Sequence, residues 1–163
     1  MIGRDDRRPA ERADDREDLG ERAIDLGCGT GLVAREFASL VNEFVGIDLS
    51  SGMIERARAT ELYARLDVAD MQQGLSAEAG ASADLILAAD AFVYVPELDA
   101  LLREAARVLQ PQGLLAFTVE THGGGGVILG EGLRYAHSET YLRGALVAAG
   151  LTSCAIVSVS TRI

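Results

Sequence analysis

The chain has no lysine and no tryptophan, only two cysteines and three prolines, and 5% aromatic residues among its 163. Each scarcity removes a class of chemistry. Without lysine there is no Schiff-base amine, no lysine general base and no lysine-bearing phosphate loop. All fifteen cationic side chains are arginine. Cys28 and Cys154 supply neither a disulfide framework nor a metal set, so no metal is expected and both are read as ordinary small residues. No apolar run approaches the roughly 20 residues of a membrane span, and the N-terminus lacks an apolar leader core. That predicts a cytoplasmic protein with no membrane partner. Positive charge is scarce as well. A net charge of −10 and a pI near 4.6 disfavour nucleic acid, which rewards a basic surface.

What is present fits one domain. Residues 1–22 carry eight acids and six arginines among few apolar side chains, so they are expected to be mobile or weakly helical. The folded unit is expected over 23–163. There, apolar stretches of strand length alternate with helical patterns, the signature of an α/β, doubly wound, mainly parallel sheet with helices on both faces. Strands are expected over 23–26, 43–47, 62–68, 84–89, 113–119 and 154–160, and helices near 32–40, 52–60, 97–109 and 139–149. The clearest helix puts Leu98, Leu101, Leu102, Ala105, Val108 and Leu109 on one face, between Pro96 and Pro111. The last begins at a cap, Ser138, and stops at Gly150.

The first strand runs straight into Asp25-Leu26-Gly27-Cys28-Gly29-Thr30-Gly31. Glycines there permit positive φ and let backbone N–H groups approach a ligand, and the helix that follows adds partial positive charge. A dinucleotide fingerprint needs its third glycine at position 32, which is Leu32, whereas it falls at Gly31. Asp25 would also repel a pyrophosphate and attract an ammonium group. An acid, an apolar residue and G-x-G-x-G resemble motif I of the class I S-adenosylmethionine (SAM) dependent methyltransferases. The resemblance implies a Rossmann-like fold, SAM as cofactor and S-adenosylhomocysteine (SAH) as product. It places Asp25, Gly27, Cys28, Gly29 and Gly31 around the methionine moiety. The bland alternative is a turn that needs glycine for geometry alone.

Further segments fall at suitable spacing. Asp48 lies 17 positions after Gly31, near the offset of about 20 expected for a ribose-binding acid. The competing role for it is a helix cap. The resemblance adds Leu49 and Met53 beside the adenine, Asp70 as acceptor for the adenine amino group, and Met71 packed on the ring. Met53 is equally at home in a core, and Asp70 is equally a strand-end acid. Residues 84–95 resemble motif IV, whose loop faces the transferred methyl group at the carboxyl ends of the strands. Small Ala88 and Ala89 leave room for the sulfonium, and Asp90 is the polar residue there. Tyr94 stands where many small-molecule methyltransferases carry histidine. The Asn-Pro-Pro-Tyr pattern of amino-group methylation on nucleic acid bases and protein glutamine is absent.

Toward the C-terminus, Glu120 and His122 precede four consecutive glycines, and His137 follows within Tyr135-Ala136-His137-Ser138. These segments make the chain similar to a bacterial branch of methyltransferases that often follow tetratricopeptide repeats, although no repeat occurs here. Tyr94, Glu120, His122 and His137 are therefore the candidate catalytic groups, each histidine equally suited to a packing role. An amine or carboxylate acceptor needs no strong base, whereas a phenol or alcohol does. The family's helices before motif I and its antiparallel seventh strand have no counterpart, so either the chain is trimmed or a partner, such as a second copy, completes it. Three functions fit: methyl transfer to a small-molecule acceptor, a noncatalytic SAM- or partner-binding domain, and a nicotinamide-dependent oxidoreductase.

Overall fold

The computed structural model describes residues 19–151 and 154–159. The charged segment therefore lies outside the described residues as far as position 18. Five strands, β1 (Arg22–Leu26), β2 (Glu43–Asp48), β3 (Arg65–Val68), β4 (Ala83–Ala88) and β5 (Leu109–Phe117), form one sheet in the order β3-β2-β1-β4-β5. Every neighbouring pair is parallel. Helices α1 (Leu32–Phe37), α2 (Ser51–Arg58), α3 (Met71–Ala77), α4 (Asp99–Val108) and α5 (Glu139–Ala148) supply the crossovers and the cover. This is the Rossmann-like α/β fold expected from the sequence. The strand order reverses between β1 and β4, which puts the ligand crevice of such sheets beyond their carboxyl ends.

Period-two alternation sorts the strand side chains. Ile24, Leu26, Val45, Ile47, Ile86 and Ala88 pack with Leu75 of α3, Leu102 and Val108 of α4, and Leu142 and Leu146 of α5. Ala23, Phe44, Leu85 and Leu87 face the other way, against Ala34 of α1. Cys28, Ile54 and Ala57 form a third cluster with Tyr63 and Leu66. Burial of both faces explains why the central strands are almost uniformly apolar. At the amino ends of the strands, buried Glu78 accepts from Arg22 Nη2 at 2.7 Å and also pairs with Arg65. The backbone N–H groups of Glu21 and Arg22 donate to Asp84 Oδ2. These ties clamp the end of the sheet remote from the crevice.

Several expected boundaries move, each for a local reason. The third strand starts at Arg65 rather than residue 62, because Glu61 takes φ 57 and turns the chain, leaving Tyr63 on a loop against Phe44. The fifth strand begins at Leu109 and shifts register after Ala83, where Gln112 takes φ 70. Helix α3 is not among the expected helices, because it is short and Gly74 weakens its signal. A side chain at Gly74 would come within 2.7 Å of Ile47, so packing requires the residue that hides the helix. The strand expected over 154–160 is not formed over its described part, 154–159. Val157 and Val159 there are exposed, and alternation without a neighbouring edge makes no ladder.

Beyond β5 the chain instead builds a second sheet from β6 (Glu120–His122), β7 (Val127–Leu129) and β8 (Tyr135–Ser138), in the order β6-β8-β7. Strand β8 runs parallel to β6 and antiparallel to β7. Among the described residues no helix is long and apolar enough to cross a membrane.

Candidate cofactor and acceptor site

The glycine turn is stitched to the end of β2. Gly27 and Cys28 N–H groups donate to Ile47 O at 2.8 and 3.1 Å, and Gly31 N–H donates to Cys28 O at 2.9 Å. Gly27, Gly29 and Gly31 take φ 66, 53 and 87, a region costly for residues with a Cβ. At Gly27 a Cβ would also lie 2.7 Å from the Ala91 Cβ, so the turn packs directly on the β4 loop. Helix α1 has only 6 residues. Its dipole is therefore small, and the turn's own amides carry the polarity expected there.

Asp48 closes this turn. Its Oδ2 accepts from Gly29 N–H at 2.9 Å and its Oδ1 from Ser50 N–H at 2.8 Å. A carboxylate offers about four lone-pair sites, so both oxygens retain capacity for a ligand's hydroxyl pair. Asp25 lies beneath, fully buried. Its Oδ2 accepts from the Tyr63 hydroxyl at 2.7 Å, while Oδ1 is buried without a partner. Burial pushes this carboxyl up to about 6, with the Tyr63 hydrogen bond opposing the shift and the Asp48 charge reinforcing it. Burial likewise pushes the Cys28 thiol up to about 12, which keeps it neutral and unreactive.

Three apolar side chains stand exposed around the crevice edge: Leu49 at 74%, Val68 at 56% and Met53 at 38%. Large exposed hydrophobes at the carboxyl ends of β2 and β3 suit a planar base laid between them. Asp70, expected to face an adenine amino group, caps α3 by accepting from Gln73 N–H at 2.9 Å. Met71, beside it, packs on the main core. A cofactor with an ammonium group, a ribose diol and a planar base therefore finds matching groups: a buried carboxylate oxygen without a partner, a second carboxylate, a glycine cradle and an apolar slot.

The other side of the crevice is made differently. Ala88 is buried at the end of β4, and Ala89 and Asp90 are exposed after it. Asp90 takes φ 55, and its N–H donates to Thr118 Oγ1 at 2.8 Å. Arg134 pairs with both Asp90 and Glu120, donates to the Tyr94 hydroxyl at 3.3 Å, and sits 5.5 Å from the centre of that ring. Its guanidinium is held more firmly protonated by Asp90 first and then Glu120. One arginine thus gathers Tyr94, Asp90 and Glu120, three of the expected site residues.

The two histidines do not join them. Gly124 N–H donates to His122 Nδ1, so the ring's proton lies on Nε2 and reaches Gly126 O at 3.1 Å. His122 therefore organises the glycine loop. His137 sits apart from that cluster: it is 0% exposed, and its Nδ1, like Asp25 Oδ1, is buried without a partner. Its Nε2 donates to Val95 O at 3.0 Å, its ring stacks on Tyr141 at 5.7 Å, and burial lowers its proton affinity. Beside the small sheet opens a cleft of about 510 Å³ walled by Pro96, Glu97, Asp99, Val127, Tyr135 and Tyr141.

Tyr63, Val68, Thr118 and Arg134 are the residues of this region that the sequence argument missed. Arg134 had one available signal, as the only cation between Arg107 and Arg143. Tyr63 and Thr118 had none, since each acts across the fold.

Known proteins resemble this chain over part of its length. The model of the family described as "Methyltransferase domain" matches residues 24–117. The chain belongs to this methyltransferase family. A ubiquinone biosynthesis O-methyltransferase of Xanthomonas oryzae is 32% identical over 99 residues, covering 59% of this chain and 41% of that protein. A malonyl-[acyl-carrier protein] O-methyltransferase of Legionella pneumophila is 38% identical over 102 residues, covering 60% of this chain and 35% of that one. The chain thus spans well under half the length of these curated relatives. The solved structure of a Haemonchus contortus phosphoethanolamine N-methyltransferase, in complex with SAH and phosphomonomethylethanolamine, superposes with a TM-score of 0.69 at 23% identity. It covers 83% of this chain and 34% of that one. In this methyltransferase domain the family match contains the glycine turn, Asp48 and Asp90, and ends before Glu120, His122, Arg134 and His137.

Proposed function

We propose that this chain transfers a methyl group from SAM to a small-molecule acceptor. The observation that carries the reading is the glycine turn closed by Asp48 over the unpartnered Asp25 oxygen, at the point where the strand order reverses. When bound, SAM supplies an electrophilic methyl group on a sulfonium. Asp25 receives the ammonium group, Asp48 takes the ribose hydroxyls, and Leu49, Met53 and Val68 flank the adenine, with Asp70 and Met71 at its far edge. Ala88 and Ala89 keep the crevice open beside the methyl group. The protein's task is then alignment in a dry pocket, worth about 7–11 kcal/mol in favourable cases.

Tyr94, Asp90 and Glu120 face the acceptor, and Arg134 fixes their orientation. Both curated relatives named above are O-methyltransferases, which favours an oxygen acceptor. Tyr94 or Glu120 would then take its proton, since His137 Nε2 is committed to Val95 O and His122 to its loop. The neighbouring cleft has room for a small molecule and no cationic wall. The same reading makes 23–163 one catalytic unit in the cytoplasm, without a nucleic-acid partner, in the branch that often follows tetratricopeptide repeats. Strands β3 and β5 bound the main sheet among the described residues. Pairing along such an edge would give a homodimer, which light scattering reads directly.

Radiolabelled methyl transfer from SAM to a panel of phenols, hydroxy acids, carboxylates and amines tests the activity. Transfer to one class, lost in Asp48→Ala, supports it. SAH binding without transfer to any member of the panel favours a cofactor-binding domain without turnover.

A further inference from the structure

Tyr63 belongs to no motif, yet it touches three parts of the donor side. Its hydroxyl donates to Asp25 Oδ2 at 2.7 Å. Its ring meets Phe44 edge-on at 6.1 Å and occupies the space beside two glycines. A Cβ at Gly31 would come within 3.2 Å of that ring, and one at Gly46 within 2.9 Å. A phenylalanine would fill the same volume. The hydroxyl is therefore the part that packing does not explain, and its recorded partner is Asp25.

Buried carboxylates ordinarily have both oxygens satisfied. Asp25 has one oxygen held by Tyr63 and the other, Oδ1, buried without a partner. We propose that Tyr63 is a positioning residue for the methyl-donor site, holding the Asp25 carboxylate in one rotation so that Oδ1 accepts from the cofactor's ammonium group. Cofactor affinity then follows the ionisation of Asp25. The inference rests on the reading of the glycine turn as the SAM site.

The titratable groups facing Asp25 are Tyr63, Asp48 and Cys28. Asp48 raises its proton affinity, and Cys28 stays neutral. Tyr63 opposes the rise by donating to the charged form. The Tyr63 phenol is itself held protonated by burial and by Asp25, so it remains a donor across the working range. Removing the hydroxyl therefore moves the Asp25 titration upward in pH while leaving the ring's packing in place.

The test uses the full chain as wild type, Tyr63→Phe and Asp25→Asn, with two readouts. Carboxyl ¹³C NMR follows the Asp25 midpoint, and calorimetry follows SAH affinity from pH 5 to 8.5. Tyr63→Phe should raise the midpoint by about one pH unit, the worth of one hydrogen bond to a charged group. Wild-type affinity should fall about tenfold per pH unit below its midpoint, and the fall in Tyr63→Phe should start about one unit higher. At pH 8.5, where Asp25 is ionised in both, Tyr63→Phe should still bind SAH at least about threefold more weakly because its carboxylate is free to rotate, and wild-type affinity there overturns the positioning role; Asp25→Asn should bind weakly with no inflection. An unshifted midpoint, or a loss in Tyr63→Phe that is equal at every pH, overturns the inference. SAH that fails to bind wild type overturns the donor reading, whereas the NMR midpoint judges Tyr63's hold on Asp25 independently. Should Tyr63→Phe not fold, the ¹³Cζ resonance of Tyr63 in the wild type decides: a step at the Asp25 midpoint that Asp25→Asn abolishes supports the inference, and a resonance that does not follow Asp25 overturns it.

Discussion

Around the glycine turn, on the proposed reading, the groups that meet the donor are backbone amides and two carboxylates held by short hydrogen bonds, one of them buried with one oxygen unpartnered. Across the crevice, the face built from Asp90, Tyr94, Glu120 and Arg134 consists of side chains joined by ion pairs and open to solvent. The donor side lies inside the family match, and much of the acceptor side lies beyond residue 117. The contrast teaches a division of labour. A common cofactor can be met by geometry fixed in the backbone, whereas a particular acceptor is met by side chains that change without disturbing the sheet.

If that division is real, damage on the donor side should be severe and damage on the acceptor side mild. The largest effect is expected at Gly27→Ala. Positive φ and a contact of 2.7 Å with Ala91 should cost about 2–5 kcal/mol of stability in denaturant unfolding and abolish SAH binding. A variant that binds SAH normally would break the claim that the turn's backbone is rigidly specified.

Next comes a pH-dependent effect at Asp25. Its folded-state pKa, about 6, exceeds the ordinary 3.8, so the folded protein holds this proton more tightly than the unfolded chain. The stability it confers is present below 3.8 and is lost as pH rises through about 6. Asp25→Asn removes this dependence. The stability difference between variant and wild type should therefore grow in the variant's favour from pH 4 to pH 8, by up to about 3 kcal/mol. A difference independent of pH would contradict the burial argument.

Asp48→Ala should weaken SAH about 10- to 100-fold by calorimetry, through the lost ribose acceptor and the freed Gly29 amide. The smallest effect belongs to the acceptor side. Arg134→Gln should cost under about 1 kcal/mol, since exposed ion pairs contribute little. SAH affinity should stay within about twofold, while turnover of any acceptor found in the panel falls. A large loss of SAH affinity in Arg134→Gln would merge the two sides into one.

Legibility in the sequence followed the same line. The glycine turn, Asp48 and the β4 loop could be read because each is a local pattern at fixed spacing along the chain. Helix α3 could not, because Gly74 weakens it locally and is required by Ile47, which lies on a distant strand. Tyr63 meets Asp25 across 38 positions and Arg134 meets Asp90 across 44, so neither contact leaves a periodic trace. His137 follows the same rule: its place next to a helix cap is legible, whereas its burial beside Val95 is set across the fold. The alternation over 154–160 signalled a strand, but alternation describes faces and does not supply a neighbour.

The most direct test of the donor-side claim is a thermal and calorimetric comparison of SAH, SAM and NADH on the wild-type chain. Selective binding to the folded state raises stability by about 2.7 kcal/mol at one hundred times the dissociation constant. SAH and SAM should both raise the melting temperature and bind with 1:1 stoichiometry, and NADH should do neither. Stabilisation by NADH with no response to SAH or SAM would contradict the account.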